Sequence, residues 1–166
     1  REAQRRFAEA LDAAPDEGSL RAEALFAAAA LDFRAGTIAR GFARAEESYD
    51  VASSVGDTRA EWRAMQFLGE FGTANEQWLV HARPWVERAI ELARREGYDA
   101  CAAIGVYTRG VASWTAGDLE GAEELMTQSL ESLRALAGST ERIPSPLNVA
   151  DMRWRNAAGL RGRRRN

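Results

Sequence analysis

The sequence predicts an all-α protein built from helix hairpins that stack on one another, and three observations support this prediction. A pattern of small residues recurs with a step of about 40 residues. Apolar residues follow helical spacing between these positions, and no useful stretch alternates as a half-buried strand does. Glycines stand where helices are expected to end. A fixed step of this size is typical of proteins that repeat one supersecondary unit, and we expect about seven to eight helices.

Four positions define each unit of the repeat. They are Gly36, Gly41, Ser48 and Gly56 in the first unit, Gln77, Ala82, Ala89 and Gly97 in the second, and Gly117, Ala122, Ser129 and Ala137 in the third. Small residues are expected where the two helices of a unit cross, because they let the backbones approach closely. The predicted crossing pairs are Ala29 with Gly41, Gly69 with Ala82, and Gly110 with Ala122.

The first helices are delimited by proline, serine and glycine. A helix over 1–14, interpreted as the second helix of a preceding unit, stops at Pro15. The next helix begins at Ser19 and ends near Gly36. A third helix continues to Gly56, where glycine can adopt the left-handed conformation of a helix cap without steric cost.

The second unit has the clearest predicted helix start. Thr58 as N-cap and Glu61 three residues later form a capping box, in which each side chain accepts a hydrogen bond from the other's backbone amide. The second helix of this unit covers 78–96 and carries Pro84 within its first two turns, where proline is tolerated. Gly97 ends it.

The third unit begins at about residue 98 and has a helix through 114. Gly117 and Asp118 form the following turn, with Asp118 as the N-cap of a helix that ends near Gly138. The predicted organisation is therefore helical repeats over 1–138, with the complete units at 19–56, 58–97 and 99–138.

The pattern changes after residue 138. Residues 139–146 are rich in Ser, Thr and Pro and are predicted to form a linker. Ser145 and Pro146 are typical of a helix start, which predicts an additional helix over 147–160. Residues 161–166 form a basic tail with four arginines.

The third unit resembles the tetratricopeptide (TPR) repeat. Its stretches 107–110 and 116–122 match the small residue of the first TPR helix, the Gly-Asp turn and the alanine of the second helix. The resemblance covers roughly 1–138 and implies hairpins stacked in a right-handed superhelix that binds proteins. The step is longer than that of TPR units, which is about 34 residues. The aromatic residue expected in the first helix is displaced or missing in units one and three. HEAT-like repeats share a period of about 40 residues and stay an alternative.

The segment 91–97, Glu-Leu-Ala-Arg-Arg-Glu-Gly, is similar to the helical-repeat segments of large ATP-dependent LuxR-type bacterial transcriptional regulators. In that family an ATPase module precedes the repeats and a helix-turn-helix DNA-binding domain follows them. The resemblance implies a sensor or scaffold segment. The chain begins at Arg1 in helical register, and we interpret it as a piece of a longer protein.

Composition limits the classes of partner. All 22 basic residues are arginine, and the net charge is −3. Without the basic tail the net charge is more negative, because residues 1–160 carry 18 arginines against 25 acidic residues. An acidic body argues against a broad nucleic-acid surface. No apolar run approaches the roughly 20 residues that a membrane span needs.

Residues able to do chemistry are few. Cys101 is the single cysteine, which fits a reducing compartment and a cytoplasmic location. His81 is the single histidine, and no second ligand stands at a spacing that would complete a metal site. We interpret Cys101 as a buried thiol and His81 as a partly buried side chain near a helix start. The sequence predicts no catalytic residue, no metal and no cofactor.

The candidate site is the concave groove that the first helix of each unit would line. Placing Ala29, Gly69 and Gly110 at equivalent positions predicts the lining residues. They are Phe26, Phe33 and Arg34 in unit one, Arg63, Gln66, Glu70 and Thr73 in unit two, and Tyr107, Trp114 and Thr115 in unit three. Aromatic side chains beside charged and amide groups suit a protein or peptide partner, while packing of the same aromatics between helices is the alternative.

Three hypotheses for the function follow. The preferred one is a non-catalytic protein-interaction or effector-sensing segment of a larger bacterial regulator, whose partner is a protein, a peptide or another domain of the same chain. The second is a structural module that self-associates through its apolar end faces. An enzyme is the third, for which the sequence offers only His81 and Cys101.

Overall fold

The computed structural model describes residues 18–73 and 76–136, together with the isolated residues 2, 5, 6, 9 and 11. These residues are helices and short turns, with no strand among them. The helices are α1 (Ser19–Arg34), α2 (Ile38–Ser54), α3 (Thr58–Thr73), α4 (Leu79–Arg95), α5 (Asp99–Thr115) and α6 (Leu119–Ala135), with a 3₁₀ turn over Glu76–Trp78 before α4. The predicted all-α class is therefore confirmed for this part of the chain. The predicted linker, additional helix and basic tail lie outside the described residues, as does most of 1–14.

Four of the connections are three-residue turns built alike. Each carries a glycine with positive φ at its centre: Gly36, Gly56, Gly97 and Gly117. In the first of these turns φ of Gly36 is 77°, and the amide of Thr37 donates to the carbonyl of Asp32 at 2.9 Å. This is the glycine cap expected from the sequence. The turn between α3 and α4 is longer and contains the 3₁₀ segment instead.

The predicted start of α3 is wrong by one residue. The amide of Ala60 donates to Oδ1 of Asp57 at 3.0 Å, and the amide of Glu61 donates to the carbonyl of Asp57 at 2.9 Å. Asp57 is therefore the cap, and Thr58 is the first helical residue. The Thr58 hydroxyl instead lies 3.1 Å from the hydroxyl of Tyr98, so a contact with the next unit replaces the expected capping box. At α6 the prediction is confirmed, because the Asp118 side chain accepts from the amide of Gly121.

Each described helix packs mainly on its neighbours in the chain. Further contacts join α1 with α3 and α3 with α5, which are the first helices of successive hairpins. Buried residues form several clusters between these helices, the largest around Trp62, Met65 and Ile104. This arrangement places α1, α3 and α5 beside one another.

Two of the predicted crossing pairs are confirmed. A Cβ at Gly41 would lie 3.3 Å from the carbonyl oxygen of Ala29, and one at Gly110 would lie 3.3 Å from that of Ala122. A second correspondence joins the same two hairpins. Ser48 donates to the carbonyl of Ala22 at 2.7 Å, and Ser129 donates to that of Ala103 at 2.6 Å.

The crossing predicted for the second unit, Gly69 with Ala82, is wrong. A Cβ at Gly69 would meet Val86, whereas Ala82 lies against Gly72. The longer turn between α3 and α4 carries the chain through an extra 3₁₀ segment, so α4 meets α3 in a different register from the other two hairpins.

We expect Gly72→Ala to lower the free energy of unfolding by about 2 kcal/mol, because an added Cβ would lie 2.4 Å from the Cβ of Ala82. Alanine in an open helix position would instead stabilise by about 1 kcal/mol. Gly69→Ala is the comparison variant: its Cβ would lie 2.7 Å from Cγ2 of Val86, a less severe overlap than 2.4 Å, so its loss should be smaller. Urea unfolding measures both, and an unchanged Gly72→Ala variant would mean that α3 and α4 lie further apart.

None of the described helices is both long enough and apolar enough to cross a membrane.

Candidate protein-interaction surface

The helix α3 contacts both α1 and α5, and we call the side of the protein that these three first helices present the first-helix face. A side-chain hydrogen bond joins α1 to α3 on this face. Arg63 donates to Oε1 of Glu23 at 3.1 Å, across 40 residues of sequence. The Arg63 guanidinium also lies over the Phe26 ring, 4.8 Å from its centroid. The separation of Arg63 and Glu23 in sequence equals the step predicted for the repeat.

Two further hydrogen bonds hold α3 to α5, both across 42 residues. Gln66 Nε2 donates to the Thr108 hydroxyl at 2.7 Å, and both side chains are buried. The Thr115 hydroxyl donates to the carbonyl of Thr73 at 2.7 Å. Polar groups of α3 and α5 therefore pair at separations close to the predicted step of the repeat, while the buried Oε1 of Gln66 has no hydrogen-bond partner.

Four phenylalanines, Phe26, Phe33, Phe67 and Phe71, line the contact between α1 and α3, and we call them the aromatic seam. Ring centroids of Phe26 and Phe67 are 5.1 Å apart, as are those of Phe33 and Phe67, both edge to face. The ring centroid of Phe71 lies 4.3 Å from that of Phe33, and the Phe71 residue is 37% exposed. The seam therefore packs the helices together and also presents an aromatic surface to solvent.

Four of the predicted lining residues are buried and offer no surface to a partner in this structure. They are Phe33, Gln66, Thr73 and Tyr107. Phe33 belongs to the aromatic seam, while Gln66 and Thr73 bond to α5. For these residues the alternative interpretation, packing between helices, fits the structure better. The next first helix covers Phe33, Gln66 and Thr73, and Tyr107 belongs to the buried cluster that includes Trp62 and Met65.

The other predicted residues reach the surface. Phe26, Arg63, Glu70 and Thr115 are partly exposed, and Arg34 and Trp114 are exposed. Arg34 forms no ion pair with any described residue. Phe26 belongs to the aromatic seam, Arg63 lies over its ring, and Arg34 follows Phe33 in the chain. Trp114 and Thr115 lie at the C-terminal end of α5.

Sequence reasoning missed two members of the seam, Phe67 and Phe71. Aligning the first two units on Ala29 and Gly69 placed Gln66 opposite Phe26. The ring of Phe26 packs instead on that of Phe67, the residue that follows Gln66 on α3. A register chosen on aromatic identity rather than on small residues would have found Phe67.

A buried carboxylate was also missed. Asp32 is fully buried near the end of α1. Arg40 donates to its Oδ1 through Nη2 at 2.6 Å, Arg44 donates to Oδ2 at 2.8 Å, and the Thr37 hydroxyl donates to Oδ1 at 3.1 Å. Burial alone would raise the pKa of Asp32. The hydrogen bonds from Arg40 and Thr37 and the charge of Arg44 outweigh it, so the pKa is lowered. The cluster ties α1 to α2.

The described residues contain no cluster of three or more metal-ligating side chains. Cys101 is buried, as expected, in the large cluster that includes Trp62. His81 is exposed rather than partly buried, and its ring lies 6.2 Å from that of Trp78. The prediction for His81 is wrong because it lies on the side of α4 that faces solvent.

Comparison with known proteins found no family model, no curated protein and no solved structure that matches this chain.

Proposed function

We propose that this chain is a non-catalytic, TPR-like helical-repeat segment that binds a protein partner along its first-helix face, within a larger bacterial transcriptional or signalling regulator. The observation that carries the proposal is the set of hydrogen bonds between first helices close to the repeat step. A helix hairpin that bonds to a hairpin about one repeat step away suits an array in which further hairpins are stacked.

Stacking of hairpins in a right-handed superhelix is part of this proposal. Packing of each helix on its chain neighbours supports it, as do the contacts between successive first helices. The matching bonds of Ser48 and Ser129 support equivalence of the first and third units. In such a stack the first helices line one continuous surface, which is where an extended partner can bind.

The aromatic seam supports the choice of a protein partner. Phe26 and Phe71 present partly exposed rings on rigid helices, and rigid aromatic side chains are common anchors in protein interfaces. Arg34 follows Phe33 on α1 and has no ion-pair partner among the described residues. We therefore propose a partner segment that places an apolar side chain against Phe71 and a carboxylate against Arg34.

The test is to select peptides from a random displayed library against the full 166-residue chain. The selected peptides are expected to combine acidic and apolar residues. Phe71→Ala and Arg34→Ala should each weaken their binding about tenfold, the loss typical of an interface anchor. Titration calorimetry measures the affinity, and thermal unfolding reports whether each variant is folded.

Val80→Ala is the matched control. Val80 is an apolar side chain on α4 with 84% of its surface exposed, so its removal should leave peptide affinity unchanged. Peptides that bind all three variants as tightly as the parent chain would place the binding surface elsewhere. Loss of stability together with unchanged affinity would assign Phe71 to packing alone.

The regulator part of the proposal has a separate test. The reading frame around this segment should encode an ATP-binding P-loop upstream and a helix-turn-helix domain downstream. A neighbouring hydrolase or a membrane-spanning domain would count against a regulator while leaving the proposed binding surface intact.

A further inference from the structure

The Arg63 guanidinium is held in one orientation on the first-helix face. It lies over the Phe26 ring, 4.8 Å from the centroid, and its Nη2 donates to Oε1 of Glu23 at 3.1 Å. Its Nε is buried, whereas the side chain as a whole is 26% exposed. The aromatic ring and the buried part of the side chain therefore present a fixed positive charge beside an apolar surface.

Glu23 is the less constrained member of this pair. Its side chain is 58% exposed, and the bond to Arg63 is its one hydrogen bond to a described residue. An arginine can bind a carboxylate through two nitrogens at once, whereas Glu23 uses one, and Nε of Arg63 has no hydrogen-bond partner. Exposed ion pairs of this kind contribute little to stability, so a second carboxylate can displace Glu23 at small cost.

Asp57 is also near Arg63, but its carboxylate is engaged elsewhere. It accepts from the amide of Ala60 at 3.0 Å as the cap of α3. This bond is the main cause that lowers the pKa of Asp57, burial opposes it, and the charge of Arg63 is the smallest of the causes. Among the described residues, Glu23 is therefore the carboxylate that pairs directly with Arg63.

Arg34 and Arg63 differ in this respect. Arg34 is exposed and forms no ion pair with any described residue, whereas Arg63 is already paired with Glu23. Arg34 stands eight residues after Phe26 on α1, which is about 12 Å along the helix axis. One arginine is therefore open to a partner carboxylate, and the other, at the level of Phe26, is occupied by a carboxylate of the chain itself.

We propose that Glu23 is an internal competitor for a carboxylate site formed by Arg63 over Phe26, and that an acidic residue of the protein partner displaces it on binding. The inference rests on the proposed binding of a partner along the first-helix face and adds a second acidic contact to it. A partner segment without this acidic residue leaves Glu23 in place, so the competition favours acidic segments. In an extended segment, side chains four residues apart lie on one side and about 13 Å apart, which matches the spacing of the two arginines.

The test is to select peptides from a random displayed library against the full 166-residue chain carrying E23Q. The selected peptides should carry two acidic residues about four positions apart. Titration calorimetry should show that they bind E23Q about threefold more tightly than the parent chain, because the competing ion pair is exposed and weak. Adding R63Q to E23Q should abolish this gain, and thermal unfolding reports whether each variant is folded.

E87Q is the matched control. Arg109 donates through Nη2 to Oε2 of Glu87 at 2.5 Å, and the two side chains are 34% and 54% exposed, close to the values for Arg63 and Glu23. This pair joins α4 to α5, and no described aromatic ring lies under Arg109. The change of charge is the same as in E23Q, yet E87Q should bind the peptides as the parent chain does.

Equal affinity of E23Q and the parent chain would overturn the proposal, as would a gain that survives R63Q or that E87Q reproduces. A library that yields no binder to E23Q would overturn it too. A dimer of E23Q in sedimentation, dissolved by the peptides, would assign the site to a second copy and overturn a separate partner.

The outcomes also separate this proposal from the proposed function. If Phe71→Ala and Arg34→Ala weaken binding while E23Q changes nothing, the role of Glu23 alone is wrong. If those two variants bind as tightly as the parent chain while E23Q gains affinity through Arg63, the proposed anchors are wrong and the Arg63 site stands.

Discussion

Gly110→Leu should lower the free energy of unfolding by about 3 kcal/mol, because α5 and α6 cross at this glycine with no space for a side chain. A Cβ alone would lie 2.9 Å from Cγ of Met126 and 3.3 Å from both the carbonyl oxygen of Ala122 and Cβ of Leu125. Leucine adds three further carbons to this crowded position, so the two helices must separate. Urea unfolding followed by circular dichroism measures the change.

Gly110→Ala is the graded control for this prediction. Its single methyl group requires a shift of the Met126 side chain, and alanine also favours the helix intrinsically, so the net loss should be well below that of leucine. Equal stability of the leucine variant and the parent chain would mean that α5 and α6 do not cross at Gly110. The hairpin assignment of the third unit would then be wrong.

The second large effect is expected at Asp32. Asp32→Asn should lower the free energy of unfolding by about 2 kcal/mol near neutral pH, because the variant leaves Arg40 and Arg44 without their carboxylate. The expected loss is moderate for a buried ion pair, since the side chains of Arg40 and Arg44 are 53% and 20% exposed and can be partly rehydrated. Glu47→Gln is the matched control. Its pair with Arg21 has a carboxylate 49% exposed, so its loss should be at most about 1 kcal/mol.

The effect of Asp32 should depend on pH in a defined direction. Its pKa is lower in the folded protein than the value of about 3.9 for an unfolded chain. Between these two pKa values the unfolded state binds more protons, so the stability that Asp32 contributes is present above about pH 4 and is lost as the pH falls through the folded pKa. The difference between the parent chain and Asp32→Asn should therefore shrink on acidification. A difference independent of pH would show that the carboxylate charge is not what stabilises the contact.

Helix boundaries follow from local chemistry and were largely predictable. Glycine caps such as Gly36 and Gly97, and the aspartate cap at Asp118, act within a few residues of the chain. The predicted N-cap of α3 was displaced by a single residue, because Asp57 and Thr58 are adjacent and both suit an N-cap. The Tyr98 hydroxyl that lies near Thr58 comes from the next unit, and no local pattern indicates it.

The candidate surface was predicted only in part, because exposure depends on what the next helix covers. Tyr107 and Trp114 stand on the same side of α5, yet Tyr107 is 5% exposed and Trp114 is 38% exposed. The burial of Asp32 could not be predicted from the sequence for the same reason. An aspartate is ordinarily a surface residue, and its burial near the end of α1 becomes favourable only when α2 brings Arg40 and Arg44 to it.

The sequence by itself determined the helical class and the glycine turns, because these depend on interactions between residues close together in the chain. The tertiary structure decided which side chains the units share. The pairing of Phe26 with Phe67, the bonds of Gln66 and Thr73 to α5 and the burial of Asp32 all arise from packing between helices. Such packing depends on side-chain volume and on the pairing of buried polar groups, neither of which a one-dimensional pattern records.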